Sequence, residues 1–317
     1  MQTVKQPVIR PINSHGYFAM LTKDLMRNKY IYIMALPLIA YYLIFHYVPM
    51  YGAMIAFKKY SVSKGILESS WVGFDHFVRF FNTHYFTRVT SNTFIISLYM
   101  LLIGFPAPII FALMLNEIRQ VKFKRFIQTV SYLPYFVSIM VVCGLIIQFA
   151  GEKGIINDIL VTLGFQRVPL LLRPEFFRTI YVSSGIWQGL GWESIIYLSA
   201  LAGIDQQQYE AARIDGAGKW KQMVHVTLPG LQSTIVIMLI LRIGQLMNVG
   251  FEKILLLYNP NTYETADVIS TYVYRTGLQN FSYDYSAAVG LFNSTINFAL
   301  LVSANYISKK LSDSSLW

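Results

Sequence analysis

Long apolar stretches decide what this chain can become. They lie at about residues 30–57, 91–115, 130–149, 177–202, 231–257 and 285–307. Each is as long as, or longer than, the roughly 20 residues that cross the hydrocarbon core of a bilayer. A backbone in lipid has to satisfy its own hydrogen bonds, so stretches of this length predict helices. The composition agrees, with 55% hydrophobic and only 13% charged residues, against about 25% charged in soluble domains. The expected fold class is therefore an all-α integral membrane protein with six transmembrane helices. The formal net charge of +10 fits anchoring to anionic lipid and orientation in the membrane, and nucleic acid is not expected as a partner. The single cysteine, Cys143, sits inside an apolar run and reads as packing.

Basic residues orient the spans. Residues 1–29 hold Lys5, Arg10, Lys23, Arg27 and Lys29 and read as a cytoplasmic N-terminal segment, with an amphipathic surface helix at 17–29 and no cleaved signal. Residues 30–310 form the transmembrane domain. Lys309 and Lys310 precede a cytoplasmic tail at 311–317. Arg119, Lys122, Lys124 and Arg125 make 116–128 a short basic inner loop. Residues 58–90, 150–176 and 258–284 then lie outside, the first carrying an interfacial helix with Phe74, Phe77, Phe80 and Phe81 near one face. Both termini are expected in the cytoplasm.

One internal segment, 203–229, is polar between two spans. Glu210, Ala211 and Ala212 suit the start of a helix. Gly216 and Gly218 allow the chain to leave it in a left-handed conformation. Residues 219–228 suit a second short helix, which Pro229 ends or which passes there into the next one. The order Glu210-Ala211-Ala212, Asp215-Gly216-Ala217 and Val226-Thr227-Leu228-Pro229 resembles the EAA loop of type I, binding-protein-dependent permeases of ATP-binding-cassette importers, with Val in place of the usual Ile. Further similarities point to the carbohydrate group and its polysaccharide-type members. They are Trp71-Val72-Gly73-Phe74 with Phe77, the run from Ile44 to Gly52 followed by Ala56-Phe57-Lys58, and the run from Asn248 to Ile254.

The resemblance implies a type I importer permease fold whose loop 203–229 docks on a separate ATPase through Glu210, Ala211, Ala212, Asp215, Gly216, Ala217, Leu228 and Pro229. It implies a second homologous permease subunit, two ATPase subunits that carry ATP and Mg, an extracellular solute-binding protein, and a bacterial cytoplasmic membrane as location. The chain itself is then a transport subunit, not an enzyme, and takes no cofactor. The cargo is expected to be an oligosaccharide. A peptide or glycerol phosphate importer is the alternative within the class, and an integral-membrane enzyme the alternative outside it.

Polar residues inside the apolar stretches mark a candidate solute path, because a charge facing lipid is costly. In the fifth stretch Arg242, Gln245, Asn248 and Glu252 fall near one face at helical spacing. A polar wall of a pathway and a set of helix–helix hydrogen bonds both fit them. In the fourth, Trp187, Gln188 and Trp192 combine aromatic faces with an amide, a pairing suited to sugar rings, while Ser184 and Gly191 fit close helix packing. Glu193 falls elsewhere on that helix and suits pairing with an arginine. In the sixth, Asn293 and Asn297 stand one turn apart and either line the same cavity or bridge helices.

Motifs for chemistry are missing. Gly216-Ala217-Gly218-Lys219 lacks the earlier Gly and following Ser or Thr of a phosphate loop. There is no His-Glu-x-x-His, Cys-x-x-Cys or Gly-x-Ser-x-Gly, and no metal site is expected.

Overall fold

The computed structural model describes residues 23–311. Residues 312–317 of the expected tail and most of the N-terminal segment, including the start of its surface helix, lie outside the described residues. The chain divides into two units, residues 1–54 and 55–317. In the first, residues 23–27 are helical. Helix α1 (Lys29–Tyr42) continues through a π turn (Leu43–Tyr47) and Val48–Met50. The Asp24 carboxylate accepts hydrogen bonds from the Asn28 amide (2.7 Å) and the Tyr32 hydroxyl (2.6 Å).

A 3-10 turn (Tyr51–Phe57) leads into the second unit. A small antiparallel hairpin follows, β1 (Lys58–Lys59) against β2 (Ser70–Trp71), with Lys58 opposite Trp71. Then come α2 (Asp75–Phe81), α3 (His84–Tyr99) and, beyond a π turn (Met100–Gly104), α4 (Pro106–Glu117). Next are α5 (Val121–Tyr132), α6 (Ile139–Ala150), α7 (Ile155–Thr162) and the long α8 (Pro174–Ala202). After α9 (Gln206–Ile214), a helical turn (Lys219–Gln222) runs through a π turn (Met223–Thr227) into α10 (Leu228–Gly244). The chain ends with α11 (Phe251–Leu257), the short helix Tyr263–Ala266, α12 (Ile269–Tyr274), a π turn (Arg275–Gln279) and α13 (Tyr283–Leu311).

Among the described residues, five helical runs are long and apolar enough to cross a membrane: Lys29–Phe57, His84–Glu117, Ile139–Thr162, Lys219–Gly244 and Tyr283–Lys310. Helix α8 is as long, with 29 residues, but it carries Ser183, Ser184, Gln188 and Glu193 and is not one of the five.

Three prolines are accommodated within helical runs without ending them. Three π turns close two residues before a proline: Tyr47 before Pro49, Gly104 before Pro106, Thr227 before Pro229. Proline has no N–H and its ring collides with the carbonyl four residues back. A turn widened by one residue moves that carbonyl aside. Pro229 thus lies in the first turn of α10.

Three sequence expectations change. The third stretch, expected as one span over 130–149, is broken, because α5 ends at Tyr132 and α6 begins at Ile139. Residues 116–128 were expected as a loop, yet α5 starts at Val121. Its exposed Phe123, Phe126 and Val130 oppose Lys122, Lys124 and Arg125, a helical spacing that the basic composition masked. The fifth stretch is not one helix. Helix α10 stops at Gly244, and residues 245–250 are non-helical before α11. The helical arithmetic that gathered Arg242, Gln245, Asn248 and Glu252 on one face does not hold beyond Gly244.

The core is organised along α8. Its first half enters an apolar cluster with Phe177, Tyr181 and Val182 beside Ile96, Cys143 and Ile254. Its last turns enter another, where Tyr197 and Leu201 meet Ile109, Ile204 and Leu231. Polar residues concentrate between the two.

Candidate functional site

Two cavities lie between those clusters. One, of about 230 Å³, is lined by Ser97, Tyr181, Arg242, Gln245, Asn248 and Gly250 among others. The other, of about 340 Å³, is lined by Phe105, Trp192, Glu193, Tyr197, Arg242 and Gln245 among others. Arg242 and Gln245 belong to both, so they stand where the two chambers meet.

The interruption after Gly244 creates this meeting point. Its freed backbone groups find partners on other helices. The Met247 N–H donates to Asn297 Oδ1 (2.9 Å) and the Gly250 N–H to the Tyr181 hydroxyl (3.0 Å). Buried Lys253 donates from Nζ to the Tyr181 carbonyl (3.1 Å) and lies over the Tyr181 ring, 4.9 Å from its centroid. Asn248 Oδ1 accepts from the amides of Asn293 (3.2 Å) and Asn297 (3.0 Å). The buried Oδ1 of Asn293 has no partner among the described residues, and an acceptor beside a cavity that holds Asn248 suits a hydroxyl donor.

The expected path residues therefore separate. Arg242, Gln245, Asn248 and Trp192 line the two chambers. Asn293 and Asn297 reach the first through Asn248. Trp187 lines a different, mostly apolar recess of about 440 Å³ with Leu145, Phe149, Ile156 and Ser184. The Gln188 amide lies 3.4 Å from the Val137 carbonyl, at a long hydrogen-bond distance. Glu252 is exposed and lines neither chamber. Trp192 stacks on Tyr135, with centroids 4.7 Å apart and planes 7° from parallel.

Glu193, set apart from the path residues as a partner for an arginine, faces the chamber with Arg242. Sequence reasoning missed Tyr181, whose hydroxyl accepts the Gly250 N–H of the interruption. The pair Gly244 and Gly250, with five residues between them that include Gln245 and Asn248, was the signal for the break.

The loop 203–229 is built from local rules. Asp205 caps α9, accepting the Gln207 N–H at 2.9 Å. At the other end Gly216 has φ +74°, the Ala217 N–H reaches the Ala212 carbonyl (2.8 Å), and the Gly216 N–H reaches that of Arg213 (3.0 Å). These are the paired bonds of a Schellman termination. Gly218 has φ −67° and precedes the next helical turn, so only Gly216 uses the left-handed region. Glu210, Ala211 and Asp215 are exposed, Ala212, Ala217 and Leu228 are half-buried, and Pro229 is exposed. Ile214 and Trp220 are 87% and 73% exposed. Underneath, the hydroxyls of Tyr209 and Thr227 share a hydrogen bond (3.0 Å), and Lys219 pairs with Glu117 at the end of α4.

Comparison with known proteins points one way. The family described as binding-protein-dependent transport system inner membrane component matches residues 104–313. Protein LplB of Bacillus subtilis (strain 168) is 42% identical over 318 residues, which cover 100% of both chains. The polygalacturonan/rhamnogalacturonan transport system permease protein YteP of the same strain is 42% identical over 294 residues, 92% of each chain. A chain of a bacterial alginate ABC transporter, in complex with an alginate pentasaccharide-bound periplasmic protein, is 43% identical. Its TM-score is 0.86, covering 93% of this chain and 99% of that one.

Proposed function

The chain belongs to the family of binding-protein-dependent transport system inner membrane components, and from that premise we propose that it carries an acidic oligosaccharide across the cytoplasmic membrane. It is a permease of an ATP-binding-cassette importer and has the type I permease fold. The cargo reading rests on the two chambers that meet at Arg242 and Gln245. A guanidinium suits a sugar carboxylate. The amides of Gln245, Asn248 and Asn293 suit hydroxyls, and the Trp192 ring offers an apolar face to a pyranose. Relatives named for polygalacturonan and alginate support the acidic class.

In this reading a second homologous permease completes the path, and both termini lie in the cytoplasm. A binding protein delivers the sugar to the end of α8 at Pro174. At the other end, α9 docks on one of two ATPase subunits, which hold the ATP and Mg. The exposed Ile214 and Trp220 beside Glu210 give that surface apolar anchors among charges. ATP binding then rocks the two permeases between inward- and outward-facing states. The residues of this chain bind, orient and release the sugar and take no part in hydrolysis.

The test is ATP hydrolysis by the reconstituted complex with its binding protein, over galacturonate, alginate and neutral oligosaccharides. Stimulation by the acidic members is expected. Equal stimulation by neutral sugars would refute the acidic cargo, and no stimulation by any sugar would refute carbohydrate import.

A further inference from the structure

Phe281 is the only non-glycine residue with positive φ (55°) among the described residues. It follows the π turn Arg275–Gln279, where the Asn280 N–H closes back on the Arg275 carbonyl (3.0 Å) and the Ser282 N–H on that of Thr276 (3.0 Å). This is the position after a helix end where glycine is the common solution, and a bulky residue with positive φ is an outlier. The turn itself has no need of the phenyl group. The ring is 71% exposed, beside exposed Leu278, Gln279 and Asn280, and touches Tyr283 with centroids 6.3 Å apart. Backbone strain that keeps an apolar ring in the open is expected where the ring meets a partner.

The tip is held rigidly. Before it, the fully buried Asp267 pairs with Arg275 (2.6 Å) and accepts the Thr271 hydroxyl (2.9 Å), while the Ile269 N–H is tied to Thr93 on α3 (3.0 Å). Within it, Gly277 packs so closely on α13 that a Cβ there would stand 2.5 Å from Ser286 Oγ. After it, Asp284 accepts the Tyr60 N–H (3.1 Å) and that of Tyr285 (2.8 Å). A ring on so fixed a mount loses little freedom on binding.

Its place selects the partner. The Thr265 hydroxyl donates to the Pro174 carbonyl (2.7 Å), so this loop sits at the first turn of α8, whereas loop 203–229 follows the last. At 1.5 Å per residue the 29 residues of α8 separate the two ends by about 43 Å. A family that depends on a binding protein must receive it on the end away from the ATPase. The polar neighbours Gln279 and Asn280 are exposed, which suits a wet protein contact and not insertion into hydrocarbon.

We propose that the Leu278–Phe281 tip is an anchor for the solute-binding protein, with the Phe281 ring seated in an apolar pocket of that partner; this rests on the importer reading above. The experiment uses the full complex in nanodiscs and measures ATP hydrolysis against binding-protein concentration for wild type, Phe281→Gly and Phe281→Ala. Both variants should raise the half-saturating concentration about tenfold, or about 1.4 kcal/mol, with the maximal rate unchanged. Phe281→Gly should melt no lower than wild type, because glycine accepts the turn. Unchanged half-saturation in both variants would overturn the anchor. Failure of the binding protein to stimulate the wild-type complex at all would instead overturn the importer reading.

Discussion

The loop at 203–229 and the interrupted stretch at 228–257 are both breaks in helical structure flanked by glycines, yet they are held in different ways. The two ends of α9 close locally, although Tyr209 also meets Thr227 and Lys219 pairs with Glu117 on α4. Asp205 caps one end of α9 and Gly216 terminates the other, with every partner within five residues. The interruption after Gly244 is held from a distance, by Tyr181 on α8 and by Asn293 and Asn297 on α13. Helix ends satisfied locally can keep a docking helix in shape when the neighbouring helices move. A break satisfied by neighbouring helices changes when those helices move, which is what a gated solute path requires.

That contrast can be broken by substitution. Asn297→Leu removes the acceptor of the Met247 N–H and one donor to Asn248 together. A buried group left unpaired costs about 1–3 kcal/mol. Uptake should fall to background while the ATPase still co-purifies; normal uptake would show that the interruption does not depend on α13. Next in size, Arg242→Gln or Gln245→Leu should lower uptake about tenfold to hundredfold at limiting sugar, a loss of about 1.4–2.7 kcal/mol, with basal hydrolysis near normal. Vesicle uptake at several sugar concentrations measures this. An unaffected variant would mean that its residue serves packing.

Smaller effects sharpen the boundaries of the site. Trp192→Ala should reduce uptake severalfold and Trp187→Ala by less than about twofold, since only Trp192 faces Arg242. The reverse order would move the sugar path into the recess beside α6. Asp205→Ala should have the smallest consequence. Loss of a cap costs about 0.5–2 kcal/mol of local helix stability, so the variant should transport within about twofold of wild type. Hydrogen exchange of the first turn of α9 should nevertheless be faster; unchanged exchange would mean that the cap does not hold that turn.

The same contrast explains what could be read from the residues. Gly216 was legible because a glycine after a helix has one common reason to be there, and φ +74° bears it out. The buried apolar clusters along α8 follow from the apolar stretches themselves. Reading Arg242 to Glu252 as one stripe assumed an unbroken helix, and the partners that break it lie 45 to 72 residues away. No local pattern carries that distance. Glu193 was set aside for the same reason: its helical face was legible, but what that face looks onto is decided by α10. The prolines are plain in the residues, but the π turns that accommodate Pro49, Pro106 and Pro229 are not.

The central claim, that α9 transmits the work of an ATPase, is tested most directly at Gly216. Open space surrounds the position of its missing Cβ, so only the backbone conformation restricts what can stand there. Asparagine visits the left-handed region readily, and a β-branched residue does so at a cost of about 1–3 kcal/mol. Transport in vesicles and co-purification of the ATPase should be measured for Gly216→Asn, Gly216→Val and Glu210→Lys. The account predicts near wild-type transport for Gly216→Asn. Gly216→Val and Glu210→Lys should lose it almost entirely, with the permease still in the membrane and the ATPase loosened or uncoupled. Wild-type transport by Gly216→Val and Glu210→Lys would contradict the account, because the loop would then not be the coupling element.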